Sequence, residues 1–440
     1  MKNILILGAG KSSIVLIKYL SNLSEKFNLK IKVAALDVSY FLNNPFNNVL
    51  PIVLNINNLD QLNKNIIDSY LVVSMLPSFM HFKIAKICSN IGRNLITASY
   101  LTPEIKKLNP EFLKKNAFLL MEMGLDPGID HMSAMKIIDK LDSNYDIKSF
   151  ESYTGGLLTP NSKSYNPWNY KFTWNSKNVV LAGSQGATYL ENNKEVKLSY
   201  DEIFKKINLI EIPKLGFFEG YANRDSLKYI DIYSLKKIKT IFRGTLRNRG
   251  FCSAWDLFIK LGLTDDKVFV QKPYNMTYNN FLKSKVFKND ELEIKQLLSS
   301  KFNIKKSSLE MKCLDWLHLF SDKLIKIKRG TYADVLENIL SKKWKMKKNE
   351  KDRVIMVHRF KYFKNKKLKS LMSYFYMDGK NQNETAMAHS VGLPIGIFIK
   401  LFLMNKVNLK GVHLPIKKEI YNPILNELNS FGINFKEINY

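Results

Sequence analysis

The sequence contains few cysteines and no familiar metal-ligand spacing. Its three cysteines, Cys88, Cys252 and Cys313, are far apart and odd in number. This argues against a disulfide framework and favours a reducing, cytoplasmic compartment. Because neither the cysteines nor the six histidines follow a spacing such as CxxC or HxxxH, we expect no metal site.

Long apolar runs are also scarce. The longest candidate, IGIFIKLFLM at 395–404, contains Lys400 and is shorter than the roughly 18 residues that a membrane span needs. We expect a helix that begins after Pro394 and packs on the N-terminal domain, rather than a membrane contact. The opening MKNILILGAG is too short for the apolar region of a signal peptide and ends in glycines.

Acidic residues are few relative to basic ones: 39 Asp and Glu stand against 68 Lys and Arg, a formal net charge of +29. The lysines are spread through the chain, whereas nucleic-acid-binding proteins gather them on one face and interleave aromatics. A genome biased toward Lys, Asn and Ile codons explains this pattern better than nucleic-acid binding does. A weaker alternative is that some basic residues attract an anionic substrate.

Residues 1–121 contain a regular alternation of short apolar runs and amphipathic stretches. NILILG (3–8), IKVAALD (31–37) and YLVVSMLP (70–77) are predicted strands, and single helical patterns separate them. Strands joined by single helices form right-handed βαβ units. We therefore predict an α/β fold with an N-terminal Rossmann-type, doubly wound parallel sheet.

After residue 146 the regular alternation of strand and helix patterns ends, which predicts a second, mixed α/β domain. Its predicted strands are KSFESYTGG (148–156), FTW (172–174), NVVLAG (178–183), GYANRDSLKYIDIY (220–233) and TIFRGTLR (240–247). Residues 251–345 have mostly helical patterns and are predicted to be an insertion into this second domain. Residues 353–363 and 369–379 are predicted to form a hairpin after it. The expected domains are 1–125, 126–390 and a C-terminal segment, 391–440, that returns to the first domain.

GAGKSS (8–13) lies between the first predicted strand and the first helix. Gly8 permits a tight turn, and Gly10 lets backbone N–H groups approach a pyrophosphate at the helix N-terminus. Ser13 replaces the third glycine of the dinucleotide-binding pattern. The alternative is a glycine turn in a ligand-free domain of the same fold. Asp37 ends the second strand, where a carboxylate holds a ribose 2′-hydroxyl and repels a 2′-phosphate, so the residues alone favour NAD over NADP.

LMEMGLDPGIDHM (120–132) follows the sixth predicted strand, at the sheet edge where ligands bind. Pro127 and Gly128 predict an abrupt turn that projects Asp126 toward the crevice, although a turn-stabilising aspartate is an open alternative. Asp130 is better explained as a helix cap than as a catalytic group. His131 is equally compatible with acid–base chemistry and with packing.

Several segments together resemble the saccharopine dehydrogenase family, in its glutamate-forming type. They are GAGKSS, SMLPSFMH, TASYLTP, GLDPGIDHM, SYTGGL, NPWNYKFTW, YANRDSLKYIDIY, FRGTLRNRGF and ETAMAHSVGLP, in order along the chain. The resemblance implies a Rossmann domain, a substrate domain with a helical insertion and a returning C-terminal segment. It also implies a reversible reaction of lysine metabolism: saccharopine, NAD(P)+ and water give L-glutamate, 2-aminoadipate 6-semialdehyde and NAD(P)H.

The resemblance also implies roles for individual residues. Asp126 and Tyr100 are the catalytic candidates, because a group must accept the amine proton, activate water and protonate the leaving nitrogen. The expected cofactor-binding residues are Gly8, Gly10, Lys11, Ser12, Asp37, Met75, Leu125 and Thr173. The expected substrate-binding residues are Ser99, Tyr100, Asp126, Arg224, Gly244, Thr245 and Arg247.

The arginines fit a substrate with three carboxylates. Arg224, Arg243, Arg247 and Arg249 lie in short predicted strands rather than in the lysine-rich helices. Arginine forms bidentate carboxylate pairs that lysine cannot reproduce. Surface ion pairing is the alternative, and it is strongest for Arg249.

The sequence departs from the family pattern in two places. Thr154 stands where family members commonly carry a cysteine, which excludes a role that needs a thiolate. Leu36 and Asp37 stand where NADP-using members tend to have an arginine. This departure puts the NADP preference of the family in doubt for this chain.

Three alternatives remain: a related amine-linked dehydrogenase of the carboxyspermidine-forming type, a ligand-binding protein that lost catalysis, and a nucleic-acid-binding protein suggested only by net charge. We expect saccharopine and glutamate as small-molecule partners, with no nucleic-acid or membrane partner. A homodimer and the physiological direction of the reaction are left open.

Overall fold

The computed structural model describes residues 1–141, 145–161, 165–287 and 290–440. The chain divides into two compact units. Unit 1 consists of Met1–Asn144 and Asn383–Phe435, and unit 2 consists of Tyr145–Gln382 and Lys436–Tyr440.

The N-terminal part of unit 1 alternates strands with helices. Its elements are β1 (Lys2–Leu7), α1 (Lys11–Phe27), β2 (Leu29–Ala35), α2 (Ser39–Asn43), β3 (Val49–Val53), α3 (Leu59–Ile67), β4 (Leu71–Ser74), α4 (His81–Ile91), β5 (Asn94–Thr97), α5 (Pro103–Lys106), α6 (Asn109–Lys114), β6 (Phe118–Leu120) and α7 (Ile129–Leu141).

Unit 2 begins with a long strand and continues with short strands and helices. Its elements are β7 (Asp146–Leu158), α8 (Ser176–Val180), β8 (Ala187–Glu191), β9 (Lys194–Leu198), α9 (Tyr200–Ile203), β10 (Ile207–Ile212), β11 (Gly216–Ala222), β12 (Arg224–Asp225), α10 (Lys228–Ile232), β13 (Thr240–Asn248), α11 (Phe251–Lys260), α12 (Tyr278–Lys283), α13 (Ile294–Phe302), α14 (Leu309–Trp316), α15 (Tyr332–Trp344), β14 (Asp352–Lys364) and β15 (Lys367–Asp378).

The C-terminal elements return to both units. They are α16 (Ala386–Leu403), β16 (Gly411–His413) and α17 (Lys418–Ser430) in unit 1, and β17 (Lys436–Asn439) in unit 2.

Unit 1 is built on a parallel sheet with the strand order β16-β6-β5-β4-β1-β2-β3 in the described part of the chain. The central strands are buried on both faces, as Ile4, Leu5, Ile6 and Leu7 of β1 are fully buried, which explains their unbroken apolar runs. The order reverses at β1, so the carboxyl ends of β1 and β4 flank the crevice where doubly wound folds bind ligands. The predicted Rossmann-type sheet is confirmed.

Unit 2 contains a mixed sheet with the main order β10-β11-β13-β7-β14-β15-β17. β13 and β7 are parallel, whereas β14 pairs antiparallel with β7 and β15. Helices α11 to α15 lie between β13 and β14, within the predicted helical block. The predicted hairpin of β14 and β15 is also observed, and Asn365 and Lys366 take φ angles of 51° and 61° in its two-residue turn.

The end of unit 1 differs from the expected boundary at residue 125. Helix α7 remains in unit 1 because it packs against α17, where the Tyr421 hydroxyl donates to an Asp139 carboxylate oxygen. The C-terminal segment therefore covers a helix that we expected in the second domain.

Helix α16 begins before Pro394, so the expected start after that proline was wrong. Thr385 caps the helix by accepting the Ala388 N–H at 3.0 Å, and Pro394 lies inside it. Gly392 allows close approach to α1, because an added Cβ would lie 2.9 Å from the Leu16 nitrogen. The helix is long and apolar enough to cross a membrane, yet 78% of it is buried inside the protein, as expected of a core helix.

Two predicted strands of unit 2 were wrong, and a third, 220–233, was right only in its first half, which contains the end of β11 and the short β12. Residues 178–183 belong mostly to α8 and the turn after it, because the Asn175 side chain caps that helix by accepting the Asn178 N–H at 3.1 Å. Residues 172–174 form only an isolated bridge at Phe172. The second half of 220–233 is helix α10, which stacks the buried rings of Tyr229 and Tyr233 with centroids 5.5 Å apart.

Candidate active site

The glycine loop connects β1 to α1 in unit 1. Gly8 has φ +112°, and an added Cβ would lie 2.9 Å from the Met75 carbonyl oxygen, so this position requires glycine. Gly10 is exposed at the start of α1, and an added Cβ would meet no atom of the described residues within 4 Å. Lys11 and Ser12 follow in the first helical turn. The open space above Gly10 and the N–H groups of this turn fit a pyrophosphate.

Asp37 lies just after β2 and is exposed. Its Oδ1 accepts the Ser39 N–H at 2.9 Å, and hydrogen bonds from the Ser39 side chain and backbone lower the pKa of the Asp37 carboxyl. The group is therefore an anion at neutral pH. This position and charge suit a hydrogen bond to a ribose 2′-hydroxyl.

Met75 and Leu125, both expected at the cofactor, lie beyond strand ends in unit 1. The Met75 N–H donates to the Leu7 carbonyl at 2.8 Å, which sets its side chain beside Gly8. Leu125 is buried in the turn after β6. Thr173 belongs to unit 2 and is buried there, and its hydroxyl lacks a hydrogen-bond partner among the described residues.

Tyr100 and Asp126 meet at the carboxyl edge of the parallel sheet. The Tyr100 hydroxyl donates to Asp126 Oδ1 at 3.0 Å, and both residues are half-buried. The turn that carries Asp126 is closed by the Gly124 N–H, which donates to the Pro127 carbonyl at 2.9 Å. A hydroxyl held on a carboxylate at a crevice can position a proton acceptor for chemistry.

Asp130 and His131, for which the sequence left several roles open, are both buried. Asp130 lies inside the first turn of α7, so it is not the residue that caps the helix. Its Oδ1 accepts the Gly128 N–H at 2.6 Å and thereby stabilises the turn before the helix. His131 Nε2 lies 2.6 Å from Glu122 Oε2. Its burial and this contact favour a structural role for His131 over direct acid–base chemistry.

His81, for which the sequence pattern indicated no role, forms a buried hydrogen-bond network beside the same edge of the sheet. Its Nδ1 lies 2.9 Å from the Ser74 hydroxyl and its Nε2 lies 2.6 Å from the Ser99 hydroxyl. Burial lowers the pKa of His81 to about 4, so the ring is neutral at physiological pH. A neutral imidazole both donates and accepts, and it therefore fixes the rotation of the Ser99 hydroxyl.

The arginines of unit 2 occupy different environments. Arg224 is exposed, has φ +57° and donates to the Gln185 side chain at 3.4 Å. Arg243 is buried with its guanidinium carbon 4.1 Å from the centre of the Tyr229 ring. Arg249 is exposed, in keeping with the surface role considered for it.

Arg247 lies among aromatic rings. Its guanidinium carbon is 4.9 Å from the centre of the Tyr170 ring and 5.1 Å from that of Phe251. Nη1 donates to the Leu246 carbonyl at 3.0 Å, whereas Nε is buried without a partner in the described residues. A buried guanidinium with an unused donor is suited to an anionic ligand.

Arg243, Thr245 and Arg247 share one face of β13, since alternate residues of a strand point the same way. Thr245 lies opposite Thr154 of β7, and the Thr154 hydroxyl is buried without a partner in the described part of the chain. Gly244 sits between them, and an added Cβ there would lie 2.7 Å from the Tyr221 carbonyl oxygen. The strand thus places expected substrate-binding residues together on a polar face.

The family models match nearly the whole chain. The saccharopine dehydrogenase NADP binding domain matches residues 4–120, and the saccharopine dehydrogenase C-terminal domain matches residues 124–433. The chain belongs to the saccharopine dehydrogenase family. The resemblance found in the sequence is therefore confirmed, and the fold of the family is the observed α/β architecture.

Relatives include saccharopine dehydrogenase [NADP(+), L-glutamate-forming] of Saccharomyces cerevisiae, 31% identical over 99% of both chains. The mitochondrial alpha-aminoadipic semialdehyde synthase of Bos taurus is 32% identical over 99% of this chain and 47% of its own length. The chain thus spans about half of that relative.

Two solved structures have folds similar to that of this chain. The apo saccharopine dehydrogenase (L-Glu forming) of Saccharomyces cerevisiae superposes with a TM-score of 0.87 at 28% identity, with both chains fully covered. A homospermidine synthase of Legionella pneumophila in complex with NAD has a TM-score of 0.55 at 12% identity, with 100% of this chain and 91% of that chain covered. The second similarity shows a shared fold only.

Proposed function

We propose that the protein oxidises saccharopine: saccharopine, an oxidised nicotinamide dinucleotide and water give L-glutamate, 2-aminoadipate 6-semialdehyde, the reduced dinucleotide and a proton. The observation that carries this proposal is the Tyr100–Asp126 hydrogen bond at the edge of the dinucleotide-binding sheet. Full-length relatives that are named for this reaction support it.

A bound dinucleotide would supply the hydride acceptor for the substrate carbon that becomes the semialdehyde. The chain supplies the space for its pyrophosphate at Gly10 and the N–H groups of the first turn of α1. Only Gly10 of the two glycines leaves room for this group. The Met75 backbone occupies the space beside Gly8, whereas the space beside Gly10 is open among the described residues.

Asp126 is the proton acceptor in this proposal. It takes a proton from the secondary ammonium of the substrate and releases it to solvent, which accounts for the proton among the products. As a carboxylate again, it deprotonates the water that adds to the imine carbon, and it returns that proton to the glutamate nitrogen as the carbon–nitrogen bond breaks. Tyr100 holds Oδ1 of this carboxylate by a hydrogen bond at 3.0 Å. General acid–base assistance of this kind is typically worth about 10²–10⁴-fold in rate.

Arg224 and Arg247 bind substrate carboxylates, with Ser99, Gly244 and Thr245 as further contacts. The Nε donor of Arg247, which has no partner among the described residues, supports this role. Each charge-assisted hydrogen bond contributes about 1.5–3 kcal/mol, so these residues set affinity and orientation rather than the chemical step.

NAD is the favoured cofactor in this proposal, although the relatives are named for NADP(+). The exposed, ionised carboxylate of Asp37 lies just after β2, and a carboxylate at that position of a Rossmann fold repels a 2′-phosphate. Replacing it by serine removes that repulsion. Asp37→Ser should raise kcat/KM with NADP relative to NAD, and an unchanged ratio contradicts the assignment.

The test of the reaction is product analysis. Purified protein, saccharopine and either dinucleotide should yield glutamate and reduced dinucleotide in equal amounts. A folded sample that binds dinucleotide but forms neither product contradicts the proposal and favours a ligand-binding role.

We also propose a reducing, cytoplasmic setting, which the three buried free thiols support. Fractionation of cells that express the native protein tests it. Light scattering of the purified protein distinguishes a homodimer from a monomer.

A further inference from the structure

Glu122 is a buried carboxylate in the loop directly after β6. It is 1% exposed, and its φ of +59° is a left-handed conformation that residues with a Cβ rarely adopt. A charged residue in such a place requires compensating contacts. Those contacts are unusually well placed with respect to Tyr100.

Glu122 holds the backbone on both sides of Tyr100. Its N–H donates to the Ser99 carbonyl at 3.0 Å, and its Oε1 accepts the Leu101 N–H at 2.9 Å. Ser99 and Leu101 are the two neighbours of Tyr100 in the chain. The position of the Tyr100 backbone is therefore set from the loop that follows the neighbouring strand β6.

The other carboxylate oxygen reaches the helix that follows the Asp126 turn. Glu122 Oε2 lies 2.6 Å from Nε2 of His131, which is fully buried in the first turn of α7. Asp126 lies between Glu122 and His131 in the chain. Glu122 precedes the turn that carries Asp126, and His131 follows it. Through its contacts with Leu101 and His131, the Glu122 side chain links the loop of Tyr100 to both ends of that turn.

We propose that Glu122 is a positioning residue that holds the Tyr100 hydroxyl on the Asp126 carboxylate. It acts through the Leu101 N–H and through His131, and it does not touch the substrate. This role deepens the proposed saccharopine oxidation and depends on it for the kinetic part of its test.

The kinetic test compares Glu122→Ala and Glu122→Gln, each with and without Tyr100→Phe. Glu122→Ala should lower kcat by about tenfold or more, with dinucleotide affinity within about twofold of wild type. Glu122→Gln should recover most of the loss, because its amide oxygen still accepts the Leu101 N–H. The loss should largely vanish in the Tyr100→Phe background, since residues that act through one another are not additive. Glu104→Gln, an exposed change in helix α5, which directly follows the loop of Tyr100, is the matched control and should leave kcat unchanged.

Equal losses in both backgrounds would overturn the proposal. A crystal structure of Glu122→Ala gives a readout independent of turnover: the 3.0 Å contact between Tyr100 and Asp126 should open beyond 3.5 Å while the glycine loop stays in place. An unchanged contact overturns the proposal even if the wild-type protein proves inactive. If Glu122→Ala does not fold, the same kinetic and structural measurements apply to Glu122→Asp, whose shorter side chain also withdraws the carboxylate from Leu101.

Discussion

The Tyr100 hydroxyl lies 3.0 Å from Asp126 Oδ1, although 26 positions separate the two residues in the chain. They come together because β5 and β6 are parallel neighbours, so the loops that follow them emerge at the same edge of the sheet. The catalytic proposal depends on this contact.

Asp126→Asn should lower kcat by about 10²–10⁴-fold, because the amide cannot accept the proton that the reaction releases. The shape of the side chain is kept, so dinucleotide affinity should stay close to that of wild type. Initial rates and a fluorescence titration with reduced dinucleotide measure both quantities. A variant with wild-type kcat would mean that Asp126 only stabilises its turn.

Gly8→Ala and Gly10→Ala should differ in kind. Gly8→Ala introduces a Cβ at φ +112°, 2.9 Å from a backbone oxygen, and should reduce the free energy of unfolding by about 1–3 kcal/mol. Gly10 has φ −75° and open space around it. Gly10→Ala should leave stability within about 0.5 kcal/mol of wild type and weaken dinucleotide binding. Urea unfolding and a binding titration of both variants decide the matter, and intact affinity in Gly10→Ala would place the pyrophosphate elsewhere.

Arg224→Lys should raise the KM for saccharopine by about tenfold or more, because lysine cannot form a bidentate carboxylate pair. Dinucleotide affinity should be nearly unchanged. Arg249→Lys is the matched control, since Arg249 is also an exposed arginine of unit 2. Equal loss of substrate and dinucleotide binding in Arg224→Lys would show that the residue is structural.

His81 should make stability depend on pH. Its pKa is about 4 in the fold and near 6.5 in an unfolded chain. Between these values the unfolded state binds a proton that the folded state does not, so stability falls as the pH drops from 6.5 toward 4. The loss between pH 7 and pH 5 is on the order of 2 kcal/mol.

Urea unfolding of wild type and His81→Gln at the two pH values isolates this effect. Between pH 7 and pH 5, the free energy of unfolding of His81→Gln should fall by on the order of 2 kcal/mol less than that of wild type. The control His318→Gln, which removes an exposed ring, should behave much more like wild type. Equal losses in wild type and His81→Gln would show that His81 is not held neutral.

The architecture of unit 1 could be predicted from the sequence because its buried strands leave unbroken apolar runs between helical patterns. The same rule misled at residues 178–183, where a short β-branched run is helical. There the cap at Asn175, rather than the apolar pattern, determines the structure. At 220–233, the four-residue spacing of Tyr229 and Tyr233 was the helical signal.

Within the candidate site, the positions of Gly8, Gly10 and Asp126 beyond strand ends could be predicted because they depend on local sequence. His81 and Glu122 could not, because their partners lie 18 and 21 positions away in the chain, at Ser99 and Leu101. Only the pairing of strands brings them together. The strongest available signal was a charged residue directly after a buried strand, which Glu122 provides.

The most direct test of the proposed saccharopine oxidation follows the transfer of one hydrogen atom from saccharopine to the dinucleotide. Saccharopine deuterated at the carbon that becomes the semialdehyde is mixed with the protein and NAD+ or NADP+, and the reduced dinucleotide is analysed by mass spectrometry. Hydride transfer from this carbon predicts one deuterium in the reduced dinucleotide and none in the glutamate. Reduced dinucleotide without deuterium, or no reduction by a protein that binds both ligands, would contradict it.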